Sequence, residues 1–298
     1  MPVAVVTDST AYLPAEAVER YGIEVVPLYV VLAGRSGEEG RDIGPADVAR
    51  TLAIRGQHVS TSRPPPGDFV AAYRRCLEAG AEQLVSVHLS AELSGTWDAA
   101  RLAAAQVGEH LVRVVDSRSV AMGTGFAVLA AARAAAAGAG IDAVVETARR
   151  TAAAGRMFFV VETLEHLRRG GRIGPAAALL GSALAVKPLL HVRDGAVVPL
   201  EKVRTSARAL SRLVQRAVEA AGEGPVAVAV HHLAAAERAQ RLAGELRDRL
   251  PRLTELYVSE IGAAIGAPVG PGSVGVVISP SPESPAEGPG DEAQQSSG

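Results

Sequence analysis

Short apolar runs alternate with helix-like stretches along the first half of the chain. Each apolar run is followed by polar or small residues, which is typical of strands that end in loops. The stretches between them have the spacing of helices. This alternation predicts parallel strands joined by crossover helices, an α/β fold. The predicted strands are Val3–Val6, Ile23–Leu32, Gln83–Leu89 and Leu111–Val115, and the predicted helices are Phe69–Ala79, Asp98–Ala105 and Gly123–Ala137.

The pattern changes near residue 155, where we place a domain boundary. We predict two α/β domains, 1–155 and 156–279, followed by 280–298 as a disordered acidic tail rich in Ser, Pro and Gly. Asp194-Gly195 is a strong hairpin signal. The second domain has predicted strands Met157–Val161, Pro188–Val192, Val226–His231 and Leu256–Ser259, and predicted helices Leu164–Arg169, Pro175–Ala185, Ser206–Ala221 and Ala234–Leu250.

The composition narrows the classes of function. The 298 residues are 48% hydrophobic and 21% charged, with a formal net charge of −2, so the chain can fold around a sizeable core. The near-neutral charge and the 3% of aromatic residues argue against nucleic-acid binding, which needs basic faces and stacking rings. The one cysteine, Cys76, excludes an intrachain disulfide, and the seven histidines lack metal-ligand spacing, so we expect no metal site.

No segment of the sequence has the pattern of a secretory leader or a membrane span. The longest candidate, Ala121–Ala139, is interrupted by Arg133 and three glycines. We therefore expect a cytoplasmic protein without stable membrane insertion.

Small hydroxyl residues gather in predicted loops, most of them directly after predicted strands. In open parallel sheets ligands bind at the carboxyl ends of strands, where hydroxyls and helix N–H groups suit a small carboxylate or phosphate. Leu93-Ser94-Gly95-Thr96 is the best candidate, because Gly95 permits close approach of the backbone to a ligand. Helix caps and turns are the structural alternative, and the sequence leaves both open. The segments are Asp8-Ser9-Thr10, Ser60-Thr61-Ser62, Ser94-Gly95-Thr96 and Asp116-Ser117.

Two glycine-containing segments are further candidates. Gly170-Gly171-Arg172 predicts a loop whose cation faces a phosphate or a partner, or else a helix end whose dipole Arg168 and Arg169 complement. Gly262–Gly275 contains five glycines and two prolines, so we predict a loop there. It has neither the spacing of a Walker phosphate loop nor that of a dinucleotide fingerprint, so a ligand contact and a plain turn are equally open.

The motifs, taken in their order and spacing, resemble one family. They are Val5-Val6-Thr7-Asp8-Ser9-Thr10, Thr61-Ser62-Arg63-Pro64, Leu93-Ser94-Gly95-Thr96, Val115-Asp116-Ser117, Leu164–Ile173, Lys187-Pro188-Leu189-Leu190, and Ile265-Gly266 through Gly270-Pro271-Gly272. This order resembles that of the DegV family of bacterial fatty-acid-binding proteins, and the resemblance covers residues 3–279.

The resemblance implies two α/β domains with a lipid tunnel, at and within their junction, that holds one long-chain fatty acid. Members of the FakB type present the bound carboxylate to a fatty acid kinase, which makes an acyl phosphate for phospholipid synthesis. The resemblance thus implies a carrier and not an enzyme, with a fatty acid as ligand and no cofactor. Carried over to this sequence, Thr61 and Ser94 would hydrogen-bond the carboxylate. Ser62 and the backbone N–H groups of Gly95 and Thr96 would assist.

Two arginines and one proline complete the expected site. Arg172 and Arg204 would lie on the face that meets the kinase or near the head group. The family usually has a histidine that helps to hold the head group where Pro268 stands in this sequence. Two alternatives therefore stay open: an enzyme acting on a small carboxylated or phosphorylated ligand, and a diverged binding protein that has lost delivery to the kinase.

Overall fold

The structure, a computed structural model, describes residues 2–32, 34–54, 56–179 and 187–281. Within these residues the chain forms three sheets. In chain order the strands are β1 (Val3–Asp8), β2 (Glu24–Val26), β3 (Tyr29–Leu32), β4 (Arg35–Glu38), β5 (Val59–Ser62), β6 (Gln83–His88), β7 (Val112–Asp116), β8 (Arg156–Val160), β9 (Lys187–Arg193), β10 (Ala196–Val203), β11 (Val226–His232), β12 (Leu253–Glu260) and β13 (Val274–Pro280).

Helices connect most of these strands. The α-helices are α1 (Ala15–Tyr21), α2 (Pro45–Ala53), α3 (Pro66–Glu78), α4 (Thr96–Val107), α5 (Met122–Ala136), α6 (Ile141–Ala154), α7 (Glu165–Arg169), α8 (Ser206–Ala221), α9 (Ala236–Arg249) and α10 (Ala263–Val269). In place of the helix predicted at Pro175–Ala185, Gly174–Leu179 forms a 3-10 helix, and 180–186 lie outside the described residues. No helix within the described ranges is long and apolar enough to cross a bilayer.

The strands β2, β1, β6 and β7 form, in that order, a wholly parallel sheet. Val6 and Leu84 belong to the core cluster that contains α3 and α4, whereas Val5 and Val85 belong to the one that contains α5 and α6. Helices thus cover both faces, which is why the strands of this sheet are nearly continuous apolar runs. The predicted alternation of strands and helices is confirmed, and the segment with Ser94 begins at the carboxyl edge of this sheet.

The predicted strand Ile23–Leu32 is two strands in different sheets. β2 belongs to the parallel sheet, whereas β3 is the centre of an antiparallel sheet in the order β4-β3-β5. The chain changes sheet at Pro27, which has no N–H to donate to a ladder. Ser60–Ser62, predicted as a loop, lie in β5. Each strand of this small sheet has four residues, too few for a clear alternating pattern.

A mixed sheet in the order β10-β9-β8-β13-β11-β12 forms the other half of the fold. The hairpin predicted at Asp194-Gly195 joins β9 and β10, and both residues have the positive φ that a two-residue I′ turn requires. β13 lies between β8 and β11 and is antiparallel to both. It ends at Pro280, which pairs with Val226 and so belongs to the sheet rather than to the predicted tail. The remaining tail, 282–298, lies outside the described residues.

The helix α5 packs between the two large sheets. It contacts β1 and β6 of the parallel sheet and β13 of the mixed sheet. Because it is buried on nearly all sides, its sequence is apolar all round. One core cluster therefore runs from Val85 through Phe126 to Phe159 and Val277. All strands of the parallel sheet precede residue 155 and all strands of the mixed sheet follow it, while the division into domains at that residue stays a prediction.

Candidate functional site

A largely apolar cavity, here called the inner cavity, lies between the carboxyl edge of the parallel sheet, the mixed sheet and α10. It contains about 820 Å³ of unfilled space, part of it open to solvent at the mouth. A concave site with mostly apolar walls and a few polar groups is typical of a site for a hydrophobic small molecule. The apolar side chains of its walls include Leu89, Val120, Phe159, Val192, Val197 and Ile265.

Three residues mark the mouth of the inner cavity. Thr61, Arg172 and Pro268 line both this cavity and a more polar one outside it, here called the outer cavity. The outer cavity holds about 1160 Å³, open solvent included, and has His58 and His166 in its wall. Among the described residues no Asp or Glu lines either cavity. The path from solvent to the apolar interior thus passes a hydroxyl and a guanidinium.

Ser94 lies between β6 and α4 and lines the inner cavity. Its Oγ accepts the N–H of Thr96 at 3.3 Å and lies 2.8 Å from the Thr96 hydroxyl. Gly95 follows it as the N-cap residue of α4. The N-terminus of a helix carries partial positive charge, which favours an anion in front of it. The sequence left two interpretations open for Ser94, a residue of the turn or a residue of the ligand site. The structure agrees with both, because Ser94 stabilises the turn before α4 and also lines the inner cavity.

Arg172 connects the loop after α7 to the same turn. Its Nε donates to the carbonyl oxygen of Leu93 at 3.1 Å, and its half-buried side chain lines both cavities. Arg168 and Arg169 instead form exposed ion pairs with Glu165 within α7. Of these three arginines, Arg172 is the one that brings a guanidinium to the wall of the inner cavity.

The structure does not bring the other predicted polar side chains to the inner cavity. Ser62 is exposed, whereas Thr61 is half-buried, because successive residues of β5 point to opposite faces. Arg204 is exposed just after β10 and lines neither cavity. Arg63 is also exposed and donates to the carbonyl oxygen of Gly95 at 3.4 Å.

The helix α10 forms part of both cavity walls, in the segment that the sequence predicted as a loop. Its first turn is held by Glu39, whose buried carboxylate accepts the N–H of Ala264 at 2.8 Å and the hydroxyl of Tyr12 at 3.1 Å. A carboxylate at a helix N-terminus stabilises the helix, while burial raises the pKa of the Glu39 carboxyl. Glu39 and Ala264 are 225 residues apart, so no local sequence pattern reveals this contact.

The hydroxyl-rich segment after β1 points into the core rather than into the cavity. Asp8 is fully buried and accepts the N–H groups of Thr10 and Leu89 at 3.1 and 3.2 Å. Its Oδ2 lies 2.9 Å from Nδ1 of His88, whose Nε2 lies 2.6 Å from Oγ of Ser86. Carboxylate, imidazole and hydroxyl follow the order of a catalytic triad, but all three are wholly buried and line neither cavity. The cluster therefore fastens β1 to β6.

The described residues hold no group of three or more His, Cys, Asp or Glu side chains that could bind a metal ion. Cys76 is half-buried on α3, and burial raises the pKa of its thiol to about 11. The polar side chains around the inner cavity are hydroxyls, imidazoles and a guanidinium, a set suited to an anion at the mouth.

His231, at the end of β11, is a fully buried imidazole beside the inner cavity. Its Nε2 accepts the N–H of Met122 at 3.2 Å, and its Nδ1 lies 3.0 Å from Oγ of Ser259. Burial, with a smaller effect from the neighbouring His232, lowers the pKa of His231 to about 4. A neutral ring fits this bonding, because one nitrogen accepts and the other donates.

We expect the free energy of unfolding to fall between pH 6.5 and pH 4, in part through His231. An unfolded histidine has a pKa of about 6.5, so in this range the unfolded state takes up a proton that the folded state excludes. The full contribution is about 3 kcal/mol. Urea unfolding across this range should show a shallower decline for His231→Gln than for the unchanged protein. Identical pH profiles would contradict the assignment.

Comparisons with known proteins agree on one family. The model of the DegV family matches residues 2–281. A DegV domain-containing protein of Streptomyces coelicolor is 56% identical over 277 residues, which cover 93% of this chain and 98% of that protein. The resemblance seen in the motifs is thereby confirmed.

Solved structures agree with this result. A DegV family protein from Thermus thermophilus, described as fatty acid binding, matches with a TM-score of 0.89 at 33% identity, over 94% of this chain and 100% of the other. DegV from Bacillus subtilis, described as a fatty acid binding protein, matches with a TM-score of 0.86 at 34% identity, over the same shares of the two chains. By its sequence and by its fold, the chain belongs to the DegV family.

Proposed function

We propose that the chain binds one long-chain fatty acid, with the acyl chain in the inner cavity and the carboxylate at the mouth beside Thr61, Ser94 and Arg172. We propose further that it presents this carboxylate to a fatty acid kinase, which makes an acyl phosphate for phospholipid synthesis. In this function the chain is a cytoplasmic carrier and not an enzyme. It uses no cofactor, binds no nucleic acid and does not insert stably into a membrane.

The observation that carries the proposal is the grouping of polar side chains at one end of an apolar cavity. Thr61 and Arg172 line both cavities, and Arg172 donates to Leu93, the residue before Ser94. Relatives with the same fold, from Thermus thermophilus and Bacillus subtilis, are described as fatty acid binding. A ligand with one anionic end and one long apolar end matches this division of the cavity.

The energetics favour such a ligand. A carboxylate removed from water needs several donors, because an unpaired buried charge is very unfavourable. The hydroxyls of Thr61 and Ser94 and the guanidinium of Arg172 would supply them. The acyl chain needs only apolar walls, and each buried methylene contributes about 0.8 kcal/mol.

The two connected cavities support delivery to a partner. A carboxylate placed at Thr61 and Arg172 would face the outer cavity, where a phosphoryl donor can approach from solvent. His58 and His166 lie in that outer wall, and no described Asp or Glu there would repel a phosphate. Transfer of the γ-phosphoryl group of ATP to the carboxylate oxygen is then the kinase's chemistry.

Native and denaturing mass spectrometry of the purified protein test the binding step. We expect a mass difference equal to one fatty acid, which chromatography of the released lipid would identify. Equal masses in both measurements, together with no uptake of added oleate or palmitate, would contradict the proposal.

Incubation with a fatty acid kinase and ATP tests the delivery step. We expect the loaded protein to yield acyl phosphate, trapped as its hydroxamate, and the unloaded protein to yield none. A loaded protein that gives no product would favour the diverged-binder alternative. Product from Pro268→His, but not from the unchanged protein, would then locate the cause at that position.

Thr61 and Ser62 offer a matched pair for testing the head-group site. Thr61→Val keeps the shape of the side chain and removes a hydrogen bond to a charged group, so the dissociation constant for oleate should rise about tenfold or more. Ser62→Ala, on the exposed face of the same strand, should leave it unchanged. Displacement of a fluorescent fatty acid measures both. Equal effects of the two substitutions would remove Thr61 from the site.

A further inference from the structure

A third cavity, here called the rear cavity, lies where elements from before and after residue 155 meet. It is lined by 116–119, by 191–194 and by residues between 149 and 157, and it contains about 1460 Å³ of unfilled space, open solvent included. Met157 and Val192 line both the inner and the rear cavity, whereas no described residue lines both the rear and the outer one. The rear cavity is therefore separate from the mouth where the head-group residues lie.

The rear cavity has an excess of positive charge. Among its described lining residues are four arginines and two carboxylates, in a chain whose formal net charge is −2. Burial, with a smaller effect from Arg193, lowers the pKa of His191, so its neutral ring adds no charge at pH 7. The arginines come from four separate segments, which only the fold brings together. They are Arg118, Arg149, Arg156 and Arg193, and the carboxylates are Asp116 and Asp194.

The two carboxylates leave most of this charge unpaired. Asp116 Oδ1 accepts the backbone N–H groups of Arg118 and Ala91, and Asp116 forms no ion pair with a described residue. Asp194 Oδ2 lies 3.8 Å from Nε of Arg193, and both side chains are exposed. Such a long and exposed contact contributes little.

The arginines differ in how the fold uses them. Arg156 has a structural role, because its Nη1 donates to three carbonyl oxygens at the end of α6, where a cation stabilises the helix. Arg118 Nη2 donates to the carbonyl oxygen of Asp194 at 2.9 Å, which holds this guanidinium beside the β9–β10 hairpin. Arg149 forms no hydrogen bond or ion pair with another described residue. Arg118, Arg149 and Arg193 therefore have donors left for a ligand.

This arrangement suits an anion with several oxygens. Positive charges that line one cavity repel each other, and an anion between them replaces repulsion by attraction. A guanidinium presents parallel N–H donors that match the oxygens of a phosphate group. Met157 and Val192 add an apolar wall for a less polar part of the same ligand.

We propose that the rear cavity is a second binding site, which binds a phosphate group of a soluble metabolite or of a lipid headgroup through Arg118, Arg149 and Arg193. The inference goes beyond the proposed function, because the fatty acid carboxylate is assigned to other residues. A fatty acid in the inner cavity and a phosphate in the rear cavity can be bound together, since the two cavities share only wall residues. Failure of the second site would leave the proposed fatty acid binding untouched.

Titration calorimetry with tripolyphosphate, at low and constant salt, tests the site with a soluble probe. We expect Arg149→Gln to weaken binding about three- to tenfold, and Arg149→Gln/Arg193→Gln to weaken it further. Because Arg149 has no described partner to lose, Arg149→Gln should melt at the temperature of the unchanged protein. A change in affinity without a change in melting assigns the effect to the ligand.

Arg150 provides the matched control for Arg149. It is the next residue on α6, is also exposed and without a described partner, and does not line the rear cavity. Arg150→Gln removes the same charge from the same helix, so it should leave the affinity for tripolyphosphate unchanged.

Vesicles distinguish the two sources of phosphate. Sedimentation with phosphatidylcholine vesicles that contain phosphatidic acid measures binding to a headgroup phosphate. Weaker sedimentation of Arg149→Gln, with Arg150→Gln unaffected, would support a lipid headgroup as the ligand. The same difference with tripolyphosphate alone would support a soluble metabolite.

Three results would overturn the inference. The first is an equal loss in Arg149→Gln and Arg150→Gln, which would show an effect of surface charge alone. The second is binding that Arg172→Gln abolishes and Arg149→Gln does not, which would assign the phosphate to the outer cavity. The third is a lack of binding to both tripolyphosphate and the vesicles.

Discussion

Replacing Val197 by Phe should lower the affinity for long-chain fatty acids by about 100-fold and shift the preference to shorter chains. Val197 is buried on β10 and lines the inner cavity beside Val192, its partner on β9. A phenyl ring there occupies space that methylenes of the ligand would fill. Displacing about four methylenes, at about 0.8 kcal/mol each, costs about 3 kcal/mol, which is about 100-fold in affinity. Competition by acids from octanoate to stearate measures the loss.

The neighbouring residue provides the control. Val198 points to the other face of β10, pairs with His191 and does not line the inner cavity, so Val198→Phe should leave the chain-length profile unchanged. A misfolded Val197→Phe would lose all ligands alike, whereas a shortened cavity keeps octanoate. Unchanged affinity for stearate in Val197→Phe would show that the acyl chain does not occupy the inner cavity.

Replacing Asp8 by Ala should lower the free energy of unfolding by about 3–5 kcal/mol, because it leaves several buried donors without an acceptor. The Asp8 carboxylate accepts two backbone N–H groups and lies 2.9 Å from His88 Nδ1, and both side chains are wholly buried. Much of that loss comes from the donors that remain buried without an acceptor, among them the ring of His88. The double variant Asp8→Ala/His88→Ala should therefore be more stable than the sum of the two single effects predicts. Urea unfolding measures all of these values.

Asp116 is the matched control for Asp8. It ends β7, another strand of the same parallel sheet, and also accepts two backbone N–H groups, from Arg118 and Ala91, at 2.8 and 3.3 Å. It is half-buried and has no imidazole partner in the described residues, so Asp116→Ala should cost about 1 kcal/mol. Equal losses for the two variants would show that burial beside His88 adds nothing.

The parallel sheet could be predicted because its signals are local. β6 is buried along almost its whole length, so it is an apolar run, and the prediction of Gln83–Leu89 differs from the strand by one residue. The rule that ligands lie at the carboxyl ends of such strands then leads directly to Ser94, which does line the cavity. Arg172 could also be predicted from a local signal, because it directly follows the two glycines of a predicted loop.

The rest of the site depends on contacts between distant segments. The sequence of α10 contains Gly266 and Pro268, which favour a loop. The helix forms nevertheless, and the carboxylate of Glu39 accepts a backbone N–H of its first turn. Thr61 and Ser62 are neighbours of similar chemistry, and only their places in β5 separate a cavity residue from an exposed one.

The position of β13 has a consequence for the order of events during synthesis. The strands of the parallel sheet are complete once residue 116 has left the ribosome, and the helices that cover both its faces are complete at residue 154, so this half can fold while the rest is made. The mixed sheet has to wait, because residues 274–280 supply the strand between β8 and β11. Until then these two strands present open edges that invite pairing with other chains. Translation that stops before Val274 would thus yield an aggregation-prone chain. The inner cavity forms only after nearly all of the described residues have been translated.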